Sequence, residues 1–233
     1  MIMQKKIVTL ALGAALALTA SGAFADDAGG NNDVRVGLYY VYFDSQATDI
    51  SGPYVPPGLN LKVNSLETLY LAYVRSVSNH IKVELAFGYP PLTKTVGNGP
   101  ATLGSVPYNG QTIATARWLS PTLLAEYEFG DANSRFRPYV GAGVNYTKFL
   151  SRQSTAAGDA ASGGPTSISL PASLGPAATI GMSYAITPRW HVYASYSAAI
   201  VDTKLTADTA GVLRTSQIQF FPMTLVVSVG YAF

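Results

Sequence analysis

Six charged residues lie within otherwise apolar segments, and their carboxylates and cationic groups could take part in chemistry. They are Arg35, Lys82, Glu84, Glu126, Glu128 and Arg137. A carboxylate pair such as Glu126 and Glu128 could serve as general acid and general base. The spacing of two positions also places both side chains on one face of a β-strand, where pairing with cations is the simpler outcome. We therefore predict a structural ionic cluster and no catalytic pair.

Other reactive groups are scarce in this chain of 233 residues, which has two His and no Cys. The absence of Cys excludes disulfides and thiolate chemistry, and two His leave little for a zinc site. A serine hydrolase would need a His beside a Ser at the outer face, but His80 falls in a predicted turn and His191 at a strand start. We predict no enzymatic activity, no metal and no cofactor.

The first 25 residues are predicted to be a secretory signal peptide. Lys5 and Lys6 precede an apolar stretch over 7–20, and Ala23-Phe24-Ala25 has the form of a cleavage site. The predicted mature chain is 26–233, in which 13 Lys and Arg balance 13 Asp and Glu. Without a basic surplus, nucleic acid is not a predicted partner.

The six charged residues must be positioned by β-strands, because eight segments alternate between apolar and small or polar residues. These segments are 34–43, 66–74, 81–88, 118–129, 136–149, 178–186, 190–198 and 223–233. Alternation alone fits either a soluble sandwich or a barrel. Three features favour a membrane barrel: Gly- and Ser-rich inner faces, connections that alternate between short and long, and aromatic residues such as Trp118 and Trp190 at strand ends.

The predicted fold is therefore all-β, an eight-stranded antiparallel transmembrane β-barrel with short periplasmic turns and long extracellular loops. In lipid such a sheet must close so that no edge is left unpaired. The last segment ends in Tyr231 and Phe233, with apolar residues at every second position. This pattern is typical of the C-terminal strand that the outer-membrane assembly machinery recognises. It predicts a Gram-negative outer-membrane location, with membrane lipid and the assembly machinery as partners.

The chain also resembles a known family, the outer membrane protein W (OmpW) family. The resemblance is carried by LSPTLLAEYEFGDANSRFRPYVGAGVNY over 119–146, by Val83-Glu84-Leu85 and by the terminal Gly230-Tyr231-Ala232-Phe233. It implies a barrel with an apolar lumen that passes small hydrophobic molecules and releases them sideways into the membrane. In the family a Trp lines the ligand pocket at the entry to the sixth strand. Leu174 stands there in this chain, which implies a pocket of different shape.

With the N-terminus in the periplasm, the six charged residues are expected at the periplasmic end of the lumen, where they would form an ionic plug. The upper lumen is expected to be lined by apolar and aromatic side chains, namely Tyr39, Val41, Phe43, Tyr70 and Leu124. These side chains could pack as a filled core or could line a ligand pocket. The family resemblance favours the pocket, with Leu174 as a further lining residue.

Proline removes a ladder hydrogen bond, so prolines near strands are candidates for a lateral gap in the wall. They are Pro121, Pro138, Pro176 and Pro222. The predicted function is passage of small hydrophobic solutes through such a gap. The alternative is a structural or surface-recognition barrel, of adhesin or phage-receptor type, with a filled lumen and loops that bind host or phage surfaces.

Overall fold

The structure is a computed structural model that describes residues 30–233, apart from the side chains of 44–46. The predicted signal peptide lies outside the described residues. The described part contains fifteen strands and one helix. In chain order they are β1 (Asn32–Ala47), β2 (Asn60–Val63), β3 (Leu66–Ser76), β4 (Ile81–Gly88), β5 (Leu92–Asn98), β6 (Thr102–Leu103), β7 (Val106–Pro107), β8 (Thr112–Leu119), β9 (Thr122–Glu128), β10 (Phe136–Ser154), α1 (Ala156–Ser162), β11 (Thr166–Ser169), β12 (Ser173–Ala185), β13 (Trp190–Ala199), β14 (Val201–Thr209) and β15 (Val212–Ala232).

Eight of these strands form a closed antiparallel ring in the order β1, β3, β4, β9, β10, β12, β13 and β15, after which β15 pairs with β1. The predicted eight-stranded barrel is thus confirmed. Following the paired residues once around the ring from Asn32 leads back to β1 at Tyr42, ten residues further along. This stagger requires the strands to tilt against the barrel axis, as closed barrels do.

Alternation divides each wall strand into an inward and an outward face. In β1 the outward side chains are Val34, Val36, Leu38, Tyr40 and Tyr42, all exposed. The last strand continues this apolar exterior through Leu225, Val227 and Val229. Such a surface is stable in a membrane, because its apolar side chains contact acyl chains there instead of water.

The short turns 77–80, 129–135 and 186–189 all lie at one end of the barrel, together with both ends of the described chain. The opposite, extracellular end is more ordered than the loops predicted from composition. There β5, β8 and the upper half of β10 extend the wall, with β2 along the edge, and β14 with β11 extends the β15 side.

The fourth predicted strand, 118–129, is two strands in the structure. It is divided between β8 and β9 at Ser120-Pro121, because Pro121 has no backbone N–H to continue the ladder. Trp118 therefore belongs to the extracellular extension. In residues 30–233 no helix has the length and apolar character needed to cross a membrane.

Candidate functional site

A buried ionic cluster fills the lumen at the end with the short turns. Arg35 lies at its centre with 1% of its side chain exposed. Its Nη1 lies 2.5 Å from Oε2 of Glu84, its Nε 3.2 Å from Oδ2 of Asp33 and its Nη2 3.8 Å from Oε2 of Glu126. One guanidinium thus faces three carboxylates that would otherwise be buried without a counter-ion.

Glu128 forms the second half of the cluster and is fully buried. Its Oε1 accepts a hydrogen bond from Nζ of Lys82 at 2.9 Å, and its Oε2 lies 2.7 Å from Nη1 of Arg137. Arg137 also donates to the backbone carbonyl of Asn79 in the first short turn. The structure therefore brings all six residues predicted for the plug into one cluster.

Two members of the cluster were missed by sequence reasoning, Asp33 and Tyr193. The Tyr193 hydroxyl donates to Oδ2 of Asp33 at 2.6 Å, and its ring lies 3.8 Å below the Arg35 guanidinium carbon. Asp33 lies two positions before Arg35 and so shares its inward face, a signal that was present in the alternation. Including Asp33, four carboxylates are arranged around three cations.

Glycines provide the room for these side chains in the narrow lumen. Gly230 lies opposite Arg35 in the β1–β15 ladder. A Cβ at Gly230 would come within 2.6 Å of an Asp33 carboxylate oxygen and within 2.7 Å of the Tyr193 ring. Any larger residue at this position would push the cluster apart, so the small inner face is a packing requirement.

Above the cluster lies a chamber of about 90 Å³. All five upper-lumen residues predicted from the sequence line it, namely Tyr39, Val41, Phe43, Tyr70 and Leu124. The Tyr70 hydroxyl donates to Oε1 of Glu84 at 2.7 Å, and both residues line the chamber, so the ionic cluster borders the chamber at Glu84. The volume suffices for a few water-sized groups but is below the roughly 300 Å³ of a typical ligand pocket.

The prediction that Leu174 lines this pocket is wrong. Leu174 lies on the outward face of β12 with 62% of its surface exposed, between the inward-facing Ser173 and Gly175. The alternation used for the sixth strand began only at residue 178, four positions later, so the sequence did not show which face Leu174 takes. Its position is on the lipid side of the wall.

Four aromatic side chains pack together on the extracellular side of the chamber, and two of them, Phe43 and Trp118, line it. The Trp118 ring is 4.8 Å from that of Phe43, 4.9 Å from Phe149 and 5.1 Å from Phe220, all in edge-to-face contacts. The sequence predicted Trp118 for an aromatic belt at the membrane interface. Trp118 is only 8% exposed and faces the lumen instead, so this prediction is wrong. We call these four residues the aromatic constriction.

Beyond the constriction a second cavity of about 290 Å³, the vestibule, lies among the extracellular strands. Its walls are mainly apolar and include Leu61 and Leu205, which belong to the same buried hydrophobic cluster as the aromatic constriction. Tyr108 lines it as well, and burial raises the pKa of its hydroxyl to about 12. The vestibule and the chamber are thus two apolar spaces with the aromatic constriction between them.

The barrel wall is interrupted beside the chamber. Pairing of β4 with β9 ends at Ala86 and Thr122, and pairing of β5 with β8 begins only at Leu92 and Arg117. Across the intervening stretch the backbone contact is a long hydrogen bond of 3.4 Å from the Trp118 amide to the Pro91 carbonyl. Residues of both edges line the chamber, namely Phe87, Gly88, Pro91, Trp118, Ser120 and Thr122. We call this stretch the wall interruption.

The four predicted prolines differ in their surroundings. Pro121 flanks the wall interruption, together with Pro90 and Pro91, which the sequence reasoning had not singled out. Pro138 and Pro176 lie within the continuous β10–β12 ladder, so the predicted gap does not occur at either. Pro222 lines the chamber and is paired with Phe43 of β1. It lies at the point of β15 where pairing with β13 ends and pairing with β14 begins.

The two histidines lie away from the extracellular end. His80 is in the first short turn, with Nδ1 3.0 Å from the Glu128 carbonyl oxygen, and His191 is the second residue of β13. Within residues 30–233 no group of His, Asp and Glu is arranged to hold a metal ion.

Comparison with known proteins gives a consistent result. The model of the OmpW family matches residues 28–233. Outer membrane protein W of Vibrio cholerae is 31% identical over 231 residues, which cover 99% of this chain and 100% of the relative. The crystal structure of OprG from Pseudomonas aeruginosa has a TM-score of 0.76 at 25% identity, covering 89% of this chain and 99% of that one.

A more distant relative, the dibenzothiophene metabolism operon protein PahQ of Pseudomonas aeruginosa, is 31% identical over 121 residues, about half of each chain. The names of the outer-membrane relatives and the barrel fold locate the protein in the outer membrane of a Gram-negative bacterium.

Proposed function

The chain belongs to the OmpW family, and from this premise we propose that it passes small hydrophobic molecules from the cell exterior into the outer membrane by lateral release. In this proposal solutes enter through the vestibule, cross the aromatic constriction into the chamber and leave through the wall interruption. The ionic cluster blocks the periplasmic end of the lumen. The proposed role is that of a non-enzymatic passage.

The observation that carries the proposal is the position of the wall interruption at the level of the chamber. A straight path to the periplasm would have to pass Arg35 and Glu128, both buried and held by several ion pairs. Separating these charges is costly, whereas a sideways exit between β4–β5 and β8–β9 breaks few ladder hydrogen bonds. An apolar solute that leaves sideways also moves directly into acyl chains, where it is more stable than in water.

The lining of the chamber supports a hydrophobic solute class. Val41, Phe43 and Leu124 supply apolar surface, while Tyr39 and Tyr70 supply aromatic faces. PahQ, a relative over half of this chain, is named for an operon of dibenzothiophene metabolism, and dibenzothiophene is an apolar aromatic compound. Since the chamber measures about 90 Å³, rotation of the aromatic constriction must enlarge it when a solute passes.

The membrane location also requires assembly of the barrel in the outer membrane. Phe233 is exposed at the C-terminal end of β15, and Tyr231 packs edge-to-face on Trp190 with ring centres 5.0 Å apart. Both side chains lie at the short-turn end, where the assembly machinery can reach them. We assign them the recognition role predicted from the sequence.

The test is uptake by liposomes that contain the refolded mature barrel. Uptake of a small apolar aromatic solute, without conductance of a small ion, is the expected result. Ion conductance alone would mean that the charged residues line an aqueous pore and would overturn the ionic plug. Absence of both activities would favour the second candidate function, a structural or surface-recognition barrel, which is supported by the small volume of the chamber.

The exit can be tested separately with proline variants. Pro91→Val with Pro121→Val restores two backbone donors at the wall interruption and is expected to slow apolar solute uptake severalfold. Pro138→Val is the matched control, because Pro138 lies in a continuous ladder. Equal uptake by both variants would refute release through this part of the wall.

A further inference from the structure

The extracellular extension of the wall carries basic side chains on its outward face and no acidic ones. It consists of β2, β5, β8 and the upper half of β10. Its outward basic residues, which we call the basic row, are Lys62, Lys94, Arg117 and Lys148. No Asp or Glu occurs in 50–66, 89–125 or 132–158, the segments that contain these strands. No acidic residue of these segments therefore offsets the charge of the row.

The direction of these side chains follows from the burial of their neighbours. Lys148 lies between the buried Thr147 and Phe149, and Arg117 between the buried Ala116 and Trp118. Since alternate side chains of a strand point to opposite faces, Lys148 and Arg117 point outward. Lys62 and Lys94 each follow a buried residue and are themselves exposed, so they face the same way.

The strand registers bring the four residues into one row. Lys62 pairs with Val96, Lys94 with Thr115 and Arg117 with Leu150. On each neighbouring strand the next basic residue lies two positions closer to the membrane than this partner. Lys94 therefore lies below Val96, Arg117 below Thr115 and Lys148 below Leu150. Diagonal neighbours of this kind are about 7–8 Å apart. Two such side chains can reach one phosphate group between them.

The stagger of the barrel keeps the row close to a single height. A path that steps from each residue to its paired residue on the next strand climbs towards the extracellular end when it runs from β4 to β10. It climbs ten residues over the eight strands of the ring, or slightly more than one residue per strand. The row falls by two positions per strand in the same direction. The difference is less than one residue per strand, or about 2 Å of height along the tilted strands.

The row lies directly above the apolar exterior. The outward residues two positions closer to the membrane are Leu92, Leu119 and Tyr146, beside Lys94, Arg117 and Lys148 respectively. Apolar outward residues thus lie immediately below the cations, as acyl chains lie below the headgroups of a membrane. Free anions could be attracted at any height, but this position matches the phosphates of a lipid.

We propose that the basic row binds the phosphate groups of an anionic lipid of the outer leaflet, of the phosphorylated glycolipid class. Arg117 supplies a planar guanidinium suited to phosphate, and the lysines add point charges on either side. The Nη1 of Arg117 also donates to the Pro90 carbonyl at 3.0 Å, so the bound headgroup lies next to the wall interruption. The inference does not depend on solute passage.

The test measures lipid binding to the refolded mature protein in a nonionic detergent by native mass spectrometry. The probes are a diphosphorylated lipid A, the same lipid without phosphates, and inorganic phosphate as competitor. Wild type is expected to bind the phosphorylated lipid in preference to the dephosphorylated one. Lys148→Gln is expected to weaken binding about fivefold, and the triple variant K94Q/R117Q/K148Q about a hundredfold.

Lys204→Gln is the matched control, because Lys204 is an exposed, outward lysine on β14, with Asp202 two positions away. Its affinity should stay within twofold of wild type. Heat-dependent migration of each variant on a gel verifies that the barrel has folded. Wild-type affinity of the triple variant, equal loss in the control, or equal binding of the dephosphorylated lipid would overturn the proposal. Displacement of the lipid by inorganic phosphate at the lipid's own concentration would identify a free-anion site and overturn the lipid assignment.

Discussion

Arg35→Met removes the guanidinium that faces Asp33, Glu84 and Glu126 while retaining the unbranched inner part of the side chain. Arg35 and these carboxylates are almost completely buried, so solvent does not screen the change. Loss of one partner from a buried ion pair costs about 3–5 kcal/mol. Because three carboxylates lose their shared cation together, we expect the free energy of unfolding to fall by an amount at the upper end of this range.

The assay is urea unfolding of the barrel in zwitterionic lipid vesicles, followed by tryptophan fluorescence. Trp118 and Trp190 lie towards opposite ends of the wall. If the fluorescence transitions of the two tryptophans coincide, the barrel unfolds as one unit. Arg189→Gln serves as the control, because Arg189 is an exposed cation at the same end and should change stability by less than about 0.5 kcal/mol.

The double variant Arg35→Met with Glu84→Leu distinguishes electrostatics from packing. It removes one of the stranded carboxylates, so part of the lost stability should return. If the free energy of unfolding of Arg35→Met is within about 1 kcal/mol of the wild-type value, the ionic cluster does not stabilise the lumen and the reasoning is refuted. Further loss in the double variant would instead point to packing by the Glu84 side chain.

Three further predictions concern the chamber and its surroundings. Gly88→Val would place a Cβ 2.4 Å from the Tyr39 ring and should lower stability by about 1–3 kcal/mol, measured by the same unfolding assay; an unchanged midpoint would contradict this packing. Leu174→Ala should leave liposome uptake of an apolar solute unchanged, because Leu174 faces lipid, whereas Leu124→Ala should alter it. In a Trp190→Phe background, an apolar ligand should shift the emission of Trp118, which lines the chamber; an unshifted spectrum at saturating uptake would place the path elsewhere.

The proposed path depends on motion of a small number of side chains. The chamber and the vestibule are both lined largely by apolar groups, but Trp118, Phe43 and Phe220 fill the space between them. Aromatic rings in edge-to-face contact are held by about 0.5–1.5 kcal/mol per pair beyond their burial. This energy is small enough for a hydrophobic solute to offset when it displaces the rings.

Much of the barrel could be predicted from the sequence, because strand alternation is a local property. Apolar residues at every second position identified eight strands and assigned Arg35 and Glu128 to the lumen. The same reasoning failed where the pattern was interrupted. Trp118 was grouped with 122–129 although Pro121 ends that ladder, and Leu174 preceded the first residue whose phase was clear.

The sequence by itself determined which side of the wall most residues occupy, because successive side chains of a strand point to opposite faces of the sheet whatever the neighbouring strands are. Only the tertiary structure decided which of the inward residues meet. Arg35 and Glu84 are 49 residues apart, and Asp33 and Tyr193 are 160 apart. Their contacts depend on ring closure with a stagger of ten residues, which is the accumulated register of eight strand pairs. The wall interruption is decided in the same way, because it exists only where the breaks at Pro91 and Pro121 on two neighbouring strands coincide.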